Sequence, residues 1–460
     1  LRPLMRILFT ILVCGLMPWS AKALEKPNIL FVLFDDMGYG EPSCYRPESS
    51  FRTPGINRLA RGGMLFTDAH ASAASCTPTR YGFLTGRYPH RIGQYGVLST
   101  FSPPLIEPER LTVASFLKKN GYATACIGKW HLGMNWGRPK VKGKNKGKRE
   151  LEIGEKMMGG PNALGFDYFY GFTHARNIEM VIEQDTVVKQ VKAVENQPLM
   201  IAKAVEYLNQ TPNGGKQPFF LYFPMCPPHK PVVPAERYAG KGGGEGKGSY
   251  ADWVYQGDDM LVQLLDALEA NGLAKDTLVI ATADNGAAGR DYPPLRDNKG
   301  SIYEGGHREP FLVRWPGKVK PGSRSEQIVS ITDVFATCAE IIGRSLPEDA
   351  AEDSVSFLNC LLGKQVGPFR VASVQQSGKK SFALRKGKWK LIDHGDGRHE
   401  LFDLEADLGE TLDLHGKQPE VARELAGLLQ SYLDRGRSTP GPALPLSHKV
   451  SLDEVRFKKK

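Results

Sequence analysis

The 460-residue sequence contains little that would staple or anchor it. Its seven cysteines are irregularly spaced, and with Cys14 and Cys76 set aside an odd five remain: Cys44, Cys126, Cys226, Cys338 and Cys360. That is no disulfide framework, so the fold must rest on a hydrophobic core. Long apolar runs are missing too. The N-terminal stretch Ile7 to Trp19 is shorter than the ~20 residues a membrane helix needs. No nucleic-acid motif is present, and the Lys/Gly-rich segments 140–148 and 240–248 lack the interleaved aromatics of a single-strand groove. Neither a stable membrane span nor nucleic-acid binding is therefore expected.

What the apolar N-terminal stretch does resemble is a secretory leader. Arg2 and Arg6 precede it and Ala21-Lys22-Ala23 follows, with small residues at −3 and −1. Residues 1–23 are therefore expected to be a signal peptide handed to the export machinery, leaving a periplasmic or secreted protein. Its removal takes three basic residues from a net charge of +10.

The remaining chain alternates apolar strands with amphipathic helices. Ile29 to Phe34 is a continuous apolar run ending in Asp35-Asp36, as expected of a strand covered on both faces. Leu111 to Asn120 reads as a helix, followed by a strand at Tyr122–Ile127 that leads into Gly128-Lys129-Trp130-His131. A third strand, Pro218–Phe223, precedes Pro228-His229-Lys230-Pro231. A helix from about Tyr250 to Asn271 leads to the strand Thr277–Thr282 and then Asp284-Asn285-Gly286, and Thr332-Asp333 starts a further helix. The pattern predicts an α/β fold with a mostly parallel central sheet over residues 24–365. From 366 to 437 the period shortens to two, in Ser381–Arg385, Lys388–Ile392 and Glu400–Leu404, before a helix at Pro419–Arg435. That is a small antiparallel sheet with one helix. Residues 438–460, Pro-rich and ending in three lysines, are expected to be a flexible basic tail. Segments 140–148 and 240–248 read as solvated inserted loops, or as an electrostatic guide for a polyanion.

In open α/β sheets ligands bind outside the carboxyl ends of the strands. Four predicted strands deliver polar residues there: Asp35 and Asp36, Lys129 and His131, His229, and Asp284 with Asn285. Asp35, Asp36, Asp284 and Asn285 offer only hard oxygens, which suits Ca²⁺ or Mg²⁺ rather than zinc, with calcium favoured in an exported protein. Arg80, Lys129, His131, His229 and Lys299 add cations and proton carriers, fit for a tetrahedral oxyanion such as sulfate or phosphate. Cys76 stands before Pro78, where a helix is expected to start, and Gly86 is a plausible stop.

The string Cys76-x-Pro78-x-Arg80 with Thr85-Gly86-Arg87 resembles the signature of the type I sulfatases. Asp35-Asp36-Met-Gly-Tyr-Gly, Gly128-Lys-Trp-His-Leu-Gly, Pro228-His-x-Pro, Asp284-Asn-Gly, Lys299 ahead of Glu304-Gly-Gly, Arg385-x-Gly-x-Trp-Lys-Leu and Glu400-Leu-Phe-Asp-Leu follow in the family's order. The resemblance implies an alkaline-phosphatase-like sandwich and a sulfuric ester hydrolase. It also implies that Cys76 is oxidised to formylglycine by a maturase that reads the residues up to Arg80. Asp35, Asp36, Asp284 and Asn285, with the modified Cys76, resemble the ligands of one calcium ion. Arg80 and His131 would hold the formylglycine hydrate, and Lys129, His229 and Lys299 the sulfate, with His229 near the leaving oxygen. One hydroxyl of the hydrate would attack sulfur and loss of the second hydroxyl's proton would expel sulfate. The sequence is most similar to the branch containing N-acetylgalactosamine-6-sulfatase, which makes a 6-O-sulfated galactose or galactosamine in a sulfated glycan the favoured substrate. Glu309 stands where a small apolar residue is expected. Two competing readings are a phosphonate or phosphate ester hydrolase of the same superfamily and a non-catalytic binder of sulfated glycans.

Overall fold

The computed structural model describes residues 26–137, 150–211, 217–243, 249–365, 367–378, 380–450 and 452. The expected signal peptide, the segment 140–148 and residues 244–248 lie outside them.

In chain order the strands are β1 (Asn28–Asp35), β2 (Met64–Phe66), β3 (Ala69–His70), β4 (Ala123–Lys129), β5 (Tyr168–Phe172), β6 (Met180–Glu183), β7 (Thr186–Gln190) and β8 (Phe219–Pro228). They continue with β9 (Thr277–Ala283), β10 (Phe311–Arg314), β11 (Ser323–Ser325), β12 (Val329–Ser330), β13 (Ser373–Gln376), β14 (Phe382–Lys386), β15 (Trp389–Asp393) and β16 (His399–Asp403). One ten-stranded sheet has the order β11-β2-β10-β9-β1-β8-β4-β5-β6-β7. Its centre, β9-β1-β8-β4-β5, is parallel, and β10, β6 and β7 run antiparallel to their neighbours toward the edges. The predicted α/β class with a mostly parallel sheet is what forms.

The continuous apolar run of β1 has a simple cause. Alternate residues point to opposite faces of a strand, and both faces are covered. Ile29, Phe31 and Leu33 pack under the helices α2 (Cys76–Thr85), α3 (Val113–Lys119) and α6 (Asp333–Ile341). Leu30, Val32 and Phe34 pack on the other side, under α1 (Pro54–Gly62), α4 (Ala193–Asn209) and α5 (Ser249–Ala270). All ten residues of α2 are buried, so this helix has no solvated face. Phe83 stacks on Phe31 with ring centroids 3.9 Å apart, which fixes α2 against the central strand. Gly86 ends the helix at φ 64°, a left-handed backbone that glycine adopts without a side-chain clash.

The smaller sheet, β13-β14-β15-β16, is antiparallel throughout. Leu384, Leu391 and Leu401 on one face bury against Ala422, Leu425 and Leu429 of the helix Pro419–Asp434. Each fully buried leucine contributes on the order of 2 kcal/mol. Ala383, Ile392 and Phe402 on the other face pack on Ile302. Beyond Ser438, where the sequence predicts a loose tail, the described residues run back along the body. Leu444 donates its N–H to the Arg435 carbonyl at 2.9 Å, Arg87 donates to the Ser447 hydroxyl at 3.2 Å, and Val450 and Leu452 rest against the small sheet's core. The six cysteines among the described residues are free thiols, and no helix there is long and apolar enough to cross a membrane.

Candidate active site

Five parallel strands end on the same edge, and the polar residues that follow them converge. β1 ends in Asp35 and leads to Asp36, β4 ends in Lys129 with His131 beyond, β8 leads to His229, and β9 leads to Asp284 and Asn285. α2 enters from above with Cys76 as its first residue, and Lys299 comes from the loop after β9. One potential ligand atom from each of Asp35, Asp36, Cys76 and His229 lies within 4.8 Å of the others.

Opposite charges interlock around that point. Lys129 Nζ lies 2.5 Å from Asp35 Oδ2, and Lys299 Nζ bonds Asp36 Oδ1 while lying 3.9 Å from Cys76 Sγ. Arg80 donates to Asp284 Oδ2 through Nε and Nη2 and to the Lys129 carbonyl through Nη1, and its Nη2 lies 3.6 Å from Asp35 Oδ1. His229 Nε2 lies 3.6 Å from Asp36 Oδ2. The Asn285 amide donates to Asp36 Oδ1 at 2.8 Å, which turns its own Oδ1 elsewhere. Asp35 Oδ1 and Asn285 Oδ1 are buried without a hydrogen-bond partner. Orphaned acceptors of this kind are costly unless something electropositive meets them.

Backbone geometry is specialised at the same place. Asp36 and His131 adopt left-handed conformations, φ 66° and 58°, which side chains other than glycine rarely occupy. Such strain persists only where the surroundings over-determine it, and it concentrates at functional sites. Gly286 is required by contact, because a Cβ there would lie 1.9 Å from the Gly305 carbonyl oxygen.

Protonation follows from burial and neighbours. Burial opposes ionisation of Asp35, yet Lys129, His229 and Arg80 hold its carboxyl far below the usual range. Asp284 is pushed up to about 7 by burial and by the charge of Asp35, despite Arg80. Burial raises the Cys76 thiol, with Lys129 and Lys299 acting the other way. His229 is lowered by burial, and His131 is lowered well below the ordinary imidazole value by burial and by Lys129. Burial opposes the charge on Lys299, but the anions around it leave its pKa raised.

All ten residues named from the sequence thus sit in or against one cluster. The sequence reading missed several neighbours. Thr173 and His174 follow β5, whose aromatic run Tyr168–Phe172 was the available signal; the His174 ring lies 5.2 Å from that of His131. Glu41, buried and pushed up to about 7 by desolvation, accepts hydrogen bonds from the hydroxyls of Tyr250 and Tyr292 beside the site. Glu309, which the sequence did single out, is buried with both carboxyl oxygens unpartnered, and burial raises its pKa well above the ordinary carboxyl value. A second group with metal-ligand types, His70, Glu304 and His307, is already committed to protein partners: His70 to Asp68 and His307, His307 to the Ile302 carbonyl, and Glu304 to Arg308, Arg385 and Lys390. Three cations on Glu304 argue against an ion there.

A buried thiol, carboxylates and lysines gathered at the carboxyl edge of a parallel sheet describe a hydrolase for oxyanion esters. The sulfatase family model matches residues 27–343, and that of the C-terminal region of N-sulphoglucosamine sulphohydrolase matches 297–437. The chain is 32% identical to an N-acetylgalactosamine-6-O-sulfatase of Bacteroides thetaiotaomicron, over 89% of this chain and 94% of that protein. It is 33% identical to human arylsulfatase A, over 89% of this chain and 88% of the relative. A solved structure described under the metabolism of multiple glycosaminoglycans by Bacteroides thetaiotaomicron superposes with a TM-score of 0.79 at 31% identity, covering 88% of this chain and 99% of that one. The chain belongs to the sulfatase family and is a sulfuric ester hydrolase.

Proposed function

We propose that the enzyme removes sulfate from a sulfated carbohydrate, with a 6-O-sulfated galactose or N-acetylgalactosamine unit favoured, using formylglycine at position 76 and one calcium ion. The observation that carries this reading is the convergence of Asp35, Asp36, Cys76 and His229 within 4.8 Å, walled by Lys129, Lys299 and Arg80. The N-acetylgalactosamine-6-O-sulfatase relative supports the sugar. The reading also includes export and a maturase acting on Cys76.

The residues present fit calcium. Asp35, Asp36, Asp284 and Asn285 would hold it, all through hard oxygen, and two of those oxygens, Asp35 Oδ1 and Asn285 Oδ1, accept no hydrogen bond. The three carboxylates face three side-chain cations, so the charge of a divalent ion would be surplus and available to an anionic substrate. When bound, the ion would acidify a hydroxyl on residue 76 and draw charge from the sulfate; the hydrated aldehyde would supply that hydroxyl and a second one.

The chain's own residues do the rest. Lys129 and Lys299 set positive charge where sulfate oxygens would lie. His131 donates Nε2–H to the Leu98 carbonyl at 3.0 Å, which leaves Nδ1 as an acceptor, buried and unpartnered. Held neutral, it is the acceptor for a hydroxyl proton of residue 76. His229 donates Nδ1–H to the Lys230 carbonyl, and its own carbonyl is held by Trp253 Nε1 at 2.9 Å. That leaves Nε2 on the site side, where the protonated ring can supply the proton a sugar alkoxide needs to depart.

The test is mass analysis of the peptide containing residue 76 from the native host, together with sulfate release from 6-O-sulfated N-acetylgalactosamine. Conversion replaces sulfur and two hydrogens with oxygen. An unconverted cysteine in protein that nevertheless turns over sulfate esters would overturn the nucleophile assignment.

A further inference from the structure

A cavity of about 360 Å³ opens beside Asp36 and His229, with Lys230, Val232, Tyr250 and Arg290 among its walls. Its volume is that of a small-ligand site. If His229 protonates the leaving oxygen, the sugar that carries this oxygen lies on the His229 side, in this cavity.

Two cations of the cavity wall, Arg290 and Lys230, are not among the residues placed around the sulfate above. The Arg290 guanidinium lies 3.7 Å above the centroid of the Tyr250 ring. Tyr250 is itself fixed, because its hydroxyl donates to Glu41 Oε1 at 2.5 Å, and Tyr292 donates to the same oxygen at 2.9 Å. Stacking uses the flat face of the guanidinium and leaves its N–H edges free. Among the described residues no carboxylate forms an ion pair with Arg290 or with the exposed Lys230, and the nearby Asp36 is committed to Lys299 and Asn285. A neutral sugar could not lie on this face of Tyr250, since Arg290 covers it.

We propose that Arg290 and Lys230 form a subsite for a second anionic group of the substrate, a carboxylate or a further sulfate on the sugar adjoining the one that is desulfated. The inference rests on the sulfatase reading above. A guanidinium fork pairs with either group through two parallel hydrogen bonds, and the ordering cost is low because Tyr250 and Glu41 already hold the ring beneath it.

The experiment compares kcat/KM for three 6-O-sulfated disaccharides whose second sugar carries a carboxylate, a sulfate or neither, with an aryl sulfate as reference. The wild-type enzyme is expected to favour one charged disaccharide over the neutral one by about tenfold, and the preferred arm identifies the group. Arg290→Gln and Lys230→Gln should each bring that ratio toward one, and Arg290→Lys should retain part of it. Ratios measured on one preparation cancel the fraction folded or matured. Equal kcat/KM for all three disaccharides in the wild type, or an unchanged ratio in Arg290→Gln, overturns the subsite while aryl sulfate turnover leaves the sulfatase reading standing. No turnover of any ester by protein converted at residue 76 removes both.

Discussion

Arg80 directs both Nε and Nη2 at one oxygen of Asp284, at 3.0 and 2.7 Å, while the other oxygen of Asp284 accepts the Asp36 backbone N–H at 3.2 Å. With Nη1 on the Lys129 carbonyl, one guanidinium ties α2 to the ends of β4 and β9. An ammonium has no such fork. Arg80→Lys is expected to lower kcat by about 100-fold, in the range seen when one fixed active-site donor is lost. Unfolding in urea should show a loss of about 3 kcal/mol, because a buried carboxylate is left under-compensated. Activity within twofold of wild type would remove Arg80 from the catalytic frame.

Calcium should be visible in stability as well as in rate. An ion that binds only the folded state adds about 4 kcal/mol at a thousandfold excess over its Kd. Titrating calcium into chelator-treated enzyme should therefore raise Tm. Asp35→Asn and Asp284→Asn should each flatten that response, since both remove a carboxylate from the oxygen set. A wild-type Tm indifferent to calcium would contradict the assignment.

His229 is the residue for which substrate chemistry separates two roles. As proton donor to the leaving oxygen it must be protonated, and burial lowers its pKa below the ordinary 6.5. The protonated fraction falls as pH rises, so kcat/KM for a sugar sulfate should decline through a pKa below 6.5. An activated aryl sulfate, whose leaving oxygen needs no proton, should lack that limb. His229→Ala should cost the sugar sulfate about 100-fold or more and the aryl sulfate much less. Equal losses on both would leave His229 a sulfate-binding residue only.

The parts of this molecule that sequence reading could reach are those where local chemistry decides. β1 betrayed itself because both of its faces are buried, and Asp35-Asp36 because a strand that ends in two acids needs a reason. α2 was readable from Pro78 and Gly86. The hidden parts depend on distant partners. β2, β10 and β11 are three or four residues long and join the sheet by pairing with one another and, through β10, with β9. The segment after Ser438 looks disordered by composition, yet Ser447 and Val450 have partners far away in sequence. Arg290 carries no local signal at all; its place over Tyr250 comes from the way the loop after β9 meets α5.

The join between the two sheets offers a prediction independent of catalysis. Lys390, on β15, lies 3.0 Å from Glu304 Oε1 and 2.7 Å from Glu410 Oε1, with all three side chains inaccessible to solvent. Burial opposes ionisation of Glu304, but Lys390 and Arg385 hold its carboxyl well below its ordinary value. A depressed carboxyl pKa stabilises the fold above the unfolded pKa, and that stability fades as pH falls toward the folded value. Lys390→Met keeps most of the side-chain volume and removes the charge, leaving Glu304 and Glu410 facing each other. Urea unfolding at pH 7 should show a loss of about 3 kcal/mol or more. The loss should narrow at pH 4 to 5, where one of the two carboxyls in the variant can take up a proton and relieve the repulsion. A loss of the same size at both pH values would mean that Lys390 acts through packing, and that charge does not hold the small sheet to the catalytic body.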